Sequence, residues 1–152
     1  YARLAEDMAR HGRESPAHAE MFAFYATACK ALSLKAELGV KLRAAYCAGD
    51  REALASLADS AAGPAREAVA RLRDAHFALW MHTNKPLGWE TLDIRYGALL
   101  GRLKTVRERV QAYLSGKAQA LPELEEPRLP YNGREGLVAA YLYKDIVSAG
   151  RI

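Results

Sequence analysis

Three features of this 152-residue chain predict an all-α fold, a bundle of four or five helices in which two long antiparallel helices form a hairpin. Apolar residues recur at three- and four-residue intervals over long runs, the period of an amphipathic helix. The runs are separated by short Gly, Pro and Ser punctuation of the kind that stops one helix and starts the next. The two most regular runs meet at one short break, too short for the flanking helices to do other than fold back side by side.

Taken in order, Leu4 and Met8 mark a first helical segment. It is expected to be the tail of a helix that starts upstream, in a chain that reads as the C-terminal fragment of something longer. His11-Gly12-Arg13-Glu14 breaks it, and Ser15-Pro16 restarts, serine as a cap for free N–H groups and proline at a first helical position. From residue 16 to about 48, Met21, Tyr25, Ala28, Leu32, Lys35, Leu38, Leu42 and Tyr46 keep to one side. This predicts one long helix, with Gly39 as a bend or a close approach. Gly49 suits a C-terminal cap and Asp50 the next N-cap, so a short helix is expected over residues 51–60 on Leu54 and Leu57.

Gly63-Pro64 repeats the stop and start. The hairpin's first helix follows over residues 65–83, with Val69, Leu72, His76, Leu79 and Trp80 in register. Its second helix carries Leu92, Tyr96, Leu99, Leu103, Val106, Val110 and Tyr113 and ends near Leu114, before Ser115-Gly116. Between them stands Thr83-Asn84-Lys85-Pro86-Leu87-Gly88, where Pro86 lacks the N–H of a continuous helix and biases Lys85 away from helical angles. Gly97 and Gly101, four apart on the second helix, each cost about 1 kcal/mol relative to alanine. A close helix crossing or a nearby partner surface would explain both.

The helical core thus spans residues 1–116 of a single domain. After Gly116 the character changes. Pro122, Pro127 and Pro130 argue against a regular helix, and Glu123, Glu125 and Glu126 add an acidic bend, so an extended Pro-rich loop is expected to lie over the bundle. Residues 137–147 fit a final short helix or a strand equally.

The run from Trp80 to Arg102, with Asn84-Lys85-Pro86-Leu87-Gly88 followed by Leu92-Asp93-Ile94-Arg95 and the glycines Gly97 and Gly101, resembles the helical C-terminal domain of a bacterial subgroup of family 20 glycoside hydrolases, the β-N-acetylhexosaminidases. Leu34-Lys35-Ala36-Glu37-Leu38-Gly39, Ala45-Tyr46, Gly49-Asp50 and Leu121-Pro122-Glu123-Leu124-Glu125-Glu126 extend the likeness over most of the chain. The resemblance implies an accessory domain that packs on the catalytic barrel of the same polypeptide and contributes to a homodimer contact. The parent enzyme would release terminal N-acetylhexosamine from glycans, without a metal or organic cofactor. Enzymes of this family use an adjacent Asp-Glu pair, the glutamate as general acid and the aspartate to orient the substrate's acetamido group. This chain contains no Asp-Glu dipeptide in that order, so the fragment itself is expected to be non-catalytic.

Composition bounds the rest. Hydrophobic residues make up 51% and charged residues 26%, an ordinary soluble balance. No apolar run approaches the roughly 18 residues of a membrane span. The net charge of +4 is interspersed along helices. The densest basic group, Arg102, Lys104, Arg107 and Arg109, has no aromatic platform between its members, so neither nucleic acid nor a membrane is expected as a partner. Cys29 and Cys47, on a single helix, would stand about 27 Å apart at 1.5 Å per residue and could not pair. Two unpaired cysteines fit a reducing, cytoplasmic compartment. His76 and His82 fall on different helix faces without ligand-spaced partners, so no metal site is expected.

The residues singled out for an interdomain or dimer contact are Trp80, Asn84, Lys85, Pro86, Trp89, Asp93 and Arg95. Two tryptophans flanking a turn are either a staple between the helices or a surface facing a sugar or a partner; lying within a turn of the break, they favour the staple. Asp93 and Arg95, two apart, point different ways on a helix and are expected to pair with other elements. The acidic bend is expected to be solvated or to meet a positive surface. The alternative to an enzyme's accessory domain is a free-standing helical module that binds a protein or a nucleic acid through the hairpin surface.

Overall fold

In the computed structural model, which describes residues 1–126, helices α1 (Ala2–Glu14), α2 (Ala19–Lys35), α3 (Leu38–Cys47), α5 (Gly63–Thr83) and α6 (Trp89–Leu114) carry the fold. Shorter pieces join them: a 3₁₀ turn Pro16–His18, helix α4 (Arg51–Ser56), a π-helical stretch Leu57–Ala62 and a single turn α7 (Pro122–Glu125). The all-α bundle and its long hairpin, α5 against α6, are as the sequence predicts.

The joints differ from expectation in physically instructive ways. The long helix expected over residues 16–48 is two helices, broken at Ala36 and Glu37, three and two residues before the suspected bend at Gly39. The break frees α3 to leave α2 and pack against α4 and α7. At Gly63-Pro64 the reverse holds, because the chain stays helical: Gly63 has φ −62° and ψ −59°. Proline cannot supply the N–H for an i−4 carbonyl, and the wider π turn immediately before Pro64 is where the helix accommodates it. His11-Gly12 also fails to break α1.

The core is built from small residues. Ala58, Ala62, Ala65, Ala68 and Val69, on the π stretch and the start of α5, are buried with Ala31 of α2 and Ala45 of α3. Side chains this short let backbones approach, and Leu54, Leu103, Val110 and Leu121 fill what remains. Full burial of a leucine such as Leu54, at 0% exposure, stabilises by roughly 1.5–3 kcal/mol. The close glycine approach lies elsewhere than expected: a Cβ on Gly12 would stand 3.2 Å from the Phe22 Cβ, where α1 crosses α2. A Cβ on Gly97 or Gly101 would meet nothing within 4 Å, so neither marks a crossing among the described residues. Both sit on the exposed outer face of α6 beside Ile94, itself 63% exposed.

Residues 117–126 are tied down more firmly than a loose acidic loop. Gly116 ends α6 at φ +77°, and Leu121 then inserts into the core at 1% exposure. Pro122 opens one helical turn instead of preventing it. The Tyr46 hydroxyl donates to Glu125 and accepts from the Leu121 N–H at 3.0 Å. Glu123 receives a two-pronged Arg109 at 2.8 and 3.1 Å, and the Arg43 Nε donates to the Leu124 carbonyl at 3.1 Å. The acidic bend therefore meets a positive surface of its own bundle. The ambiguous segment 137–147 lies outside the described residues.

Candidate functional site

The hairpin break forms because two incompatible demands meet within six residues. Asn84 ends α5 in extended geometry, its N–H still bonded to the Trp80 carbonyl at 2.8 Å. Pro86 forbids resumption of the helix, and its carbonyl accepts from the Trp89 N–H at 3.2 Å. Gly88 then turns the chain at φ +103°, and its N–H is capped by the Glu90 carboxylate at 2.9 Å. Across the turn, the Trp80 indole N–H donates to the Lys85 carbonyl at 2.9 Å. The backbone is thus closed from both sides, while the side chains of Asn84, Lys85, Pro86 and Leu87 face outward. Leu87 is 83% exposed.

Beneath the turn, Trp89 is buried at 5% exposure in an aromatic cluster. His76 and Phe77 of α5 meet it edge-on at 5.3 and 5.1 Å, Trp80 lies at 6.0 Å, and Tyr96 stacks at 6.3 Å. Phe24 extends the cluster to α2, 4.6 Å from His76. The tryptophans therefore staple α5 to α6. The buried Trp89 N–H has no hydrogen-bond partner among the described residues, at a local cost of about 1–3 kcal/mol.

Charge closes one side of this cluster. The Arg73 guanidinium lies over the Phe77 and Trp89 rings at 5.1 and 5.6 Å and binds Asp93 at 2.8 Å. That hydrogen bond to Asp93, with a second to Asp74, raises the Arg73 pKa further above its already high value. Asp93 thus pairs with α5, and Arg95 is half-buried on α6. The His76 Nδ1 and Tyr96 hydroxyl are 2.9 Å apart. Burial pushes His76 down, towards neutrality at physiological pH, and pushes Tyr96 up to about 12.

Of the seven residues singled out, the structure gathers Trp80, Trp89 and Asp93 into the staple and leaves Asn84, Lys85 and Pro86 on a braced outer turn. Three of the basic residues on α6 pair with acidic ones: Lys104 with Glu108 at 3.7 Å, Arg107 with Asp59 at 3.1 Å, Arg109 with Glu123 at 2.8 Å. Among the described residues no three His, Cys, Asp or Glu side chains converge as metal ligands, and no helix is long and apolar enough to cross a membrane. Cys29 and Cys47 are both free, the first buried and the second exposed. Of the residues that periodicity places on one side of α2, Met21, Tyr25 and Leu32 lie at the surface.

A braced turn over an aromatic staple, on an all-α bundle, marks a helical domain organised around its α5–α6 hairpin. Residues 1–142 match the family model described as the Glycoside Hydrolase 20C C-terminal domain, and the chain belongs to that family. A C-terminal domain of this kind is attached to a catalytic domain. No curated protein matches the chain.

Proposed function

We propose that this domain is the accessory part of a β-N-acetylhexosaminidase, that it packs on the enzyme's catalytic barrel or on a second copy through the hairpin turn, and that the parent enzyme releases terminal N-acetylhexosamine. Trp80, Asn84, Lys85, Pro86, Trp89, Asp93 and Arg95 form the contact region. Its outer members touch the neighbouring surface, and Trp80, Trp89 and Asp93 hold them in place from below. The carrying observation is Leu87, 83% exposed at the tip of a turn braced by the Trp80–Lys85, Trp89–Pro86 and Gly88–Glu90 hydrogen bonds. A large apolar side chain held rigidly in solvent has no role in the bundle's own core and suits a preformed contact.

Hydrogen exchange tests this. The amides of Lys85, Leu87 and Gly88 are expected to exchange more slowly in the full-length enzyme than in the isolated domain, since opening there requires undocking. Equal rates in both would refute the contact. The isolated domain is expected to leave an aryl N-acetyl-β-glucosaminide intact, lacking an acid and an orienting carboxylate in the required pair. Turnover by a clean preparation that survives replacement of Glu125 and Glu126 would overturn the accessory role.

A further inference from the structure

Five of the large apolar side chains that stand exposed belong to the first two helices: Tyr1 and Leu4 on or beside α1, and Met21, Tyr25 and Leu32 on α2. On α2 they are not scattered. Positions 21, 25, 28 and 32 fall within about 60° of one another at 3.6 residues per turn, so Met21, Tyr25, Ala28 and Leu32 make a single apolar row about 16 Å long, which Lys35 continues with a charge just past Leu32. Yet Met21, Tyr25 and Leu32 keep 37%, 47% and 40% of their surface open, because α1 and α5 take the two flanks of α2 and leave this row between them. Isolated exposed leucines are ordinary, whereas a contiguous apolar row on one helix marks an interaction surface.

Both ends of the row lead somewhere. Towards Met21 it opens into a groove of about 600 Å³ lined by Glu20, Leu79, His82 and Thr83, where His82 and Glu20 hydrogen-bond across α5 and α2. Thr83 is the residue before Asn84, so the groove runs directly into the braced turn. Towards Leu32 the row reaches the end at which a C-terminal domain is joined to the rest of its enzyme. The α1–α2 pair is antiparallel with Gly12 against Phe22, and Tyr1 stands eleven residues before Gly12 while Leu32 stands ten after Phe22. Tyr1, Leu4 and Leu32 therefore stand within about one helical turn of the same level along the pair.

We infer that the row Met21–Tyr25–Ala28–Leu32 is the docking face for the catalytic domain of the same polypeptide, which lies along α2 from the junction at Tyr1 to the turn at Leu87. The inference rests on the proposed packing of this domain against its enzyme and adds the face that does it. The occupant's surface is apolar and uncharged opposite Met21 and Tyr25, since a charge placed there would lose its hydration with no partner nearby in the row, and the one charge it meets is Lys35 just past Leu32. Attachment at Tyr1 keeps that surface at high effective concentration, so even a modest apolar contact stays closed.

The test uses the full-length enzyme with single substitutions Tyr25→Cys, Leu32→Cys and Leu87→Cys. Thiol labelling is read peptide by peptide, with the naturally exposed Cys47 of α3 as internal reference and each rate normalised to that of the denatured protein. Labelling at positions 25 and 32 is expected to be at least about tenfold slower than at Cys47 and independent of protein concentration, because reaction requires the domains to part. Rapid labelling at 25 and 32 with slow labelling at 87 would overturn this inference and leave the turn contact standing. Rapid labelling at all three would overturn both. Protection that disappears on dilution would place a second copy, not the catalytic domain, on the row and would also overturn the inference. Oxidative footprinting of Met21 and Tyr25 in the unsubstituted enzyme reads the same face without any mutation, and low modification of both is expected.

Discussion

The same substitution made twice near one helix should act with opposite signs. Gly88 and Gly97 stand nine residues apart, at the N-cap of α6 and within it. Gly88 sits at φ +103°, and an added Cβ would lie 3.4 Å from the Trp80 ring, an ordinary contact. The cost of Gly88→Ala is therefore backbone strain, about 1–3 kcal/mol for a side-chain-bearing residue held in that region. Loss of freedom in the unfolded chain offsets about 0.4–1 kcal/mol of it. The net expectation is destabilisation by about 1–2 kcal/mol, a melting temperature lowered by about 2–8 °C at the roughly 2–4 °C per kcal/mol of a chain this size. Gly97 lies within α6 with nothing within 4 Å of its Cβ position, so Gly97→Ala gains helix propensity alone, up to about 1 kcal/mol. Thermal and urea unfolding of the 152-residue chain would measure both. A Gly97→Ala variant that melts below wild type would mean that something approaches that face closely; a Gly88→Ala variant that melts at or above wild type would mean that the turn does not need its left-handed residue.

Leu121→Ala removes a side chain at 1% exposure from the segment that follows α6 and should cost about 2–5 kcal/mol, within the range of core leucine truncations. A loss under 1 kcal/mol in urea unfolding would show that this segment only rests on the bundle. His76, whose pKa burial holds below its ordinary 6.5, should make stability depend on acid. The unfolded chain binds the proton more tightly, so its contribution is complete above about pH 6.5 and is lost as pH falls from there through the lower folded value. Wild type should therefore lose stability faster than His76→Phe below pH 6.5, and identical slopes would contradict the burial. Tyr96 acts at the other extreme: its folded pKa of about 12 against 10.0 keeps its contribution whole up to pH 10 and loses it as pH rises towards 12.

How much of this was legible beforehand depended on whether the deciding physics is local. The ends of α5 and α6, the turn at Pro86 and the stop at Gly116 follow from residues within a few positions of themselves, through a missing N–H, a permitted positive φ or a cap. The break at Ala36 and Glu37 was not legible, because neither residue opposes a helix; α3 turns away to pack on α4 and α7, which requires knowing where those helices are. Gly63-Pro64 misled for the converse reason, since a π turn before the proline keeps the chain helical through a pair that usually ends one. The anchoring of Leu121 and Glu123 depended on Tyr46, 75 residues from Leu121, and on Arg109, 14 residues from Glu123 across the stop at Gly116.

The sequence by itself determined that the chain is helical, that two of its helices form a hairpin at residues 84–88, and, through its motifs, the family to which it belongs. These depend on spacing and on backbone chemistry that each short stretch carries with it. Only the tertiary structure decided which apolar faces are covered. Met21, Tyr25, Ala28 and Leu32 have the period of a core stripe, as do the residues that bury Trp89 and Leu103. Periodicity records that a helix has an apolar side and not what lies against it, and here α1 and α5 take the flanks of α2 and, among the described residues, leave that side open.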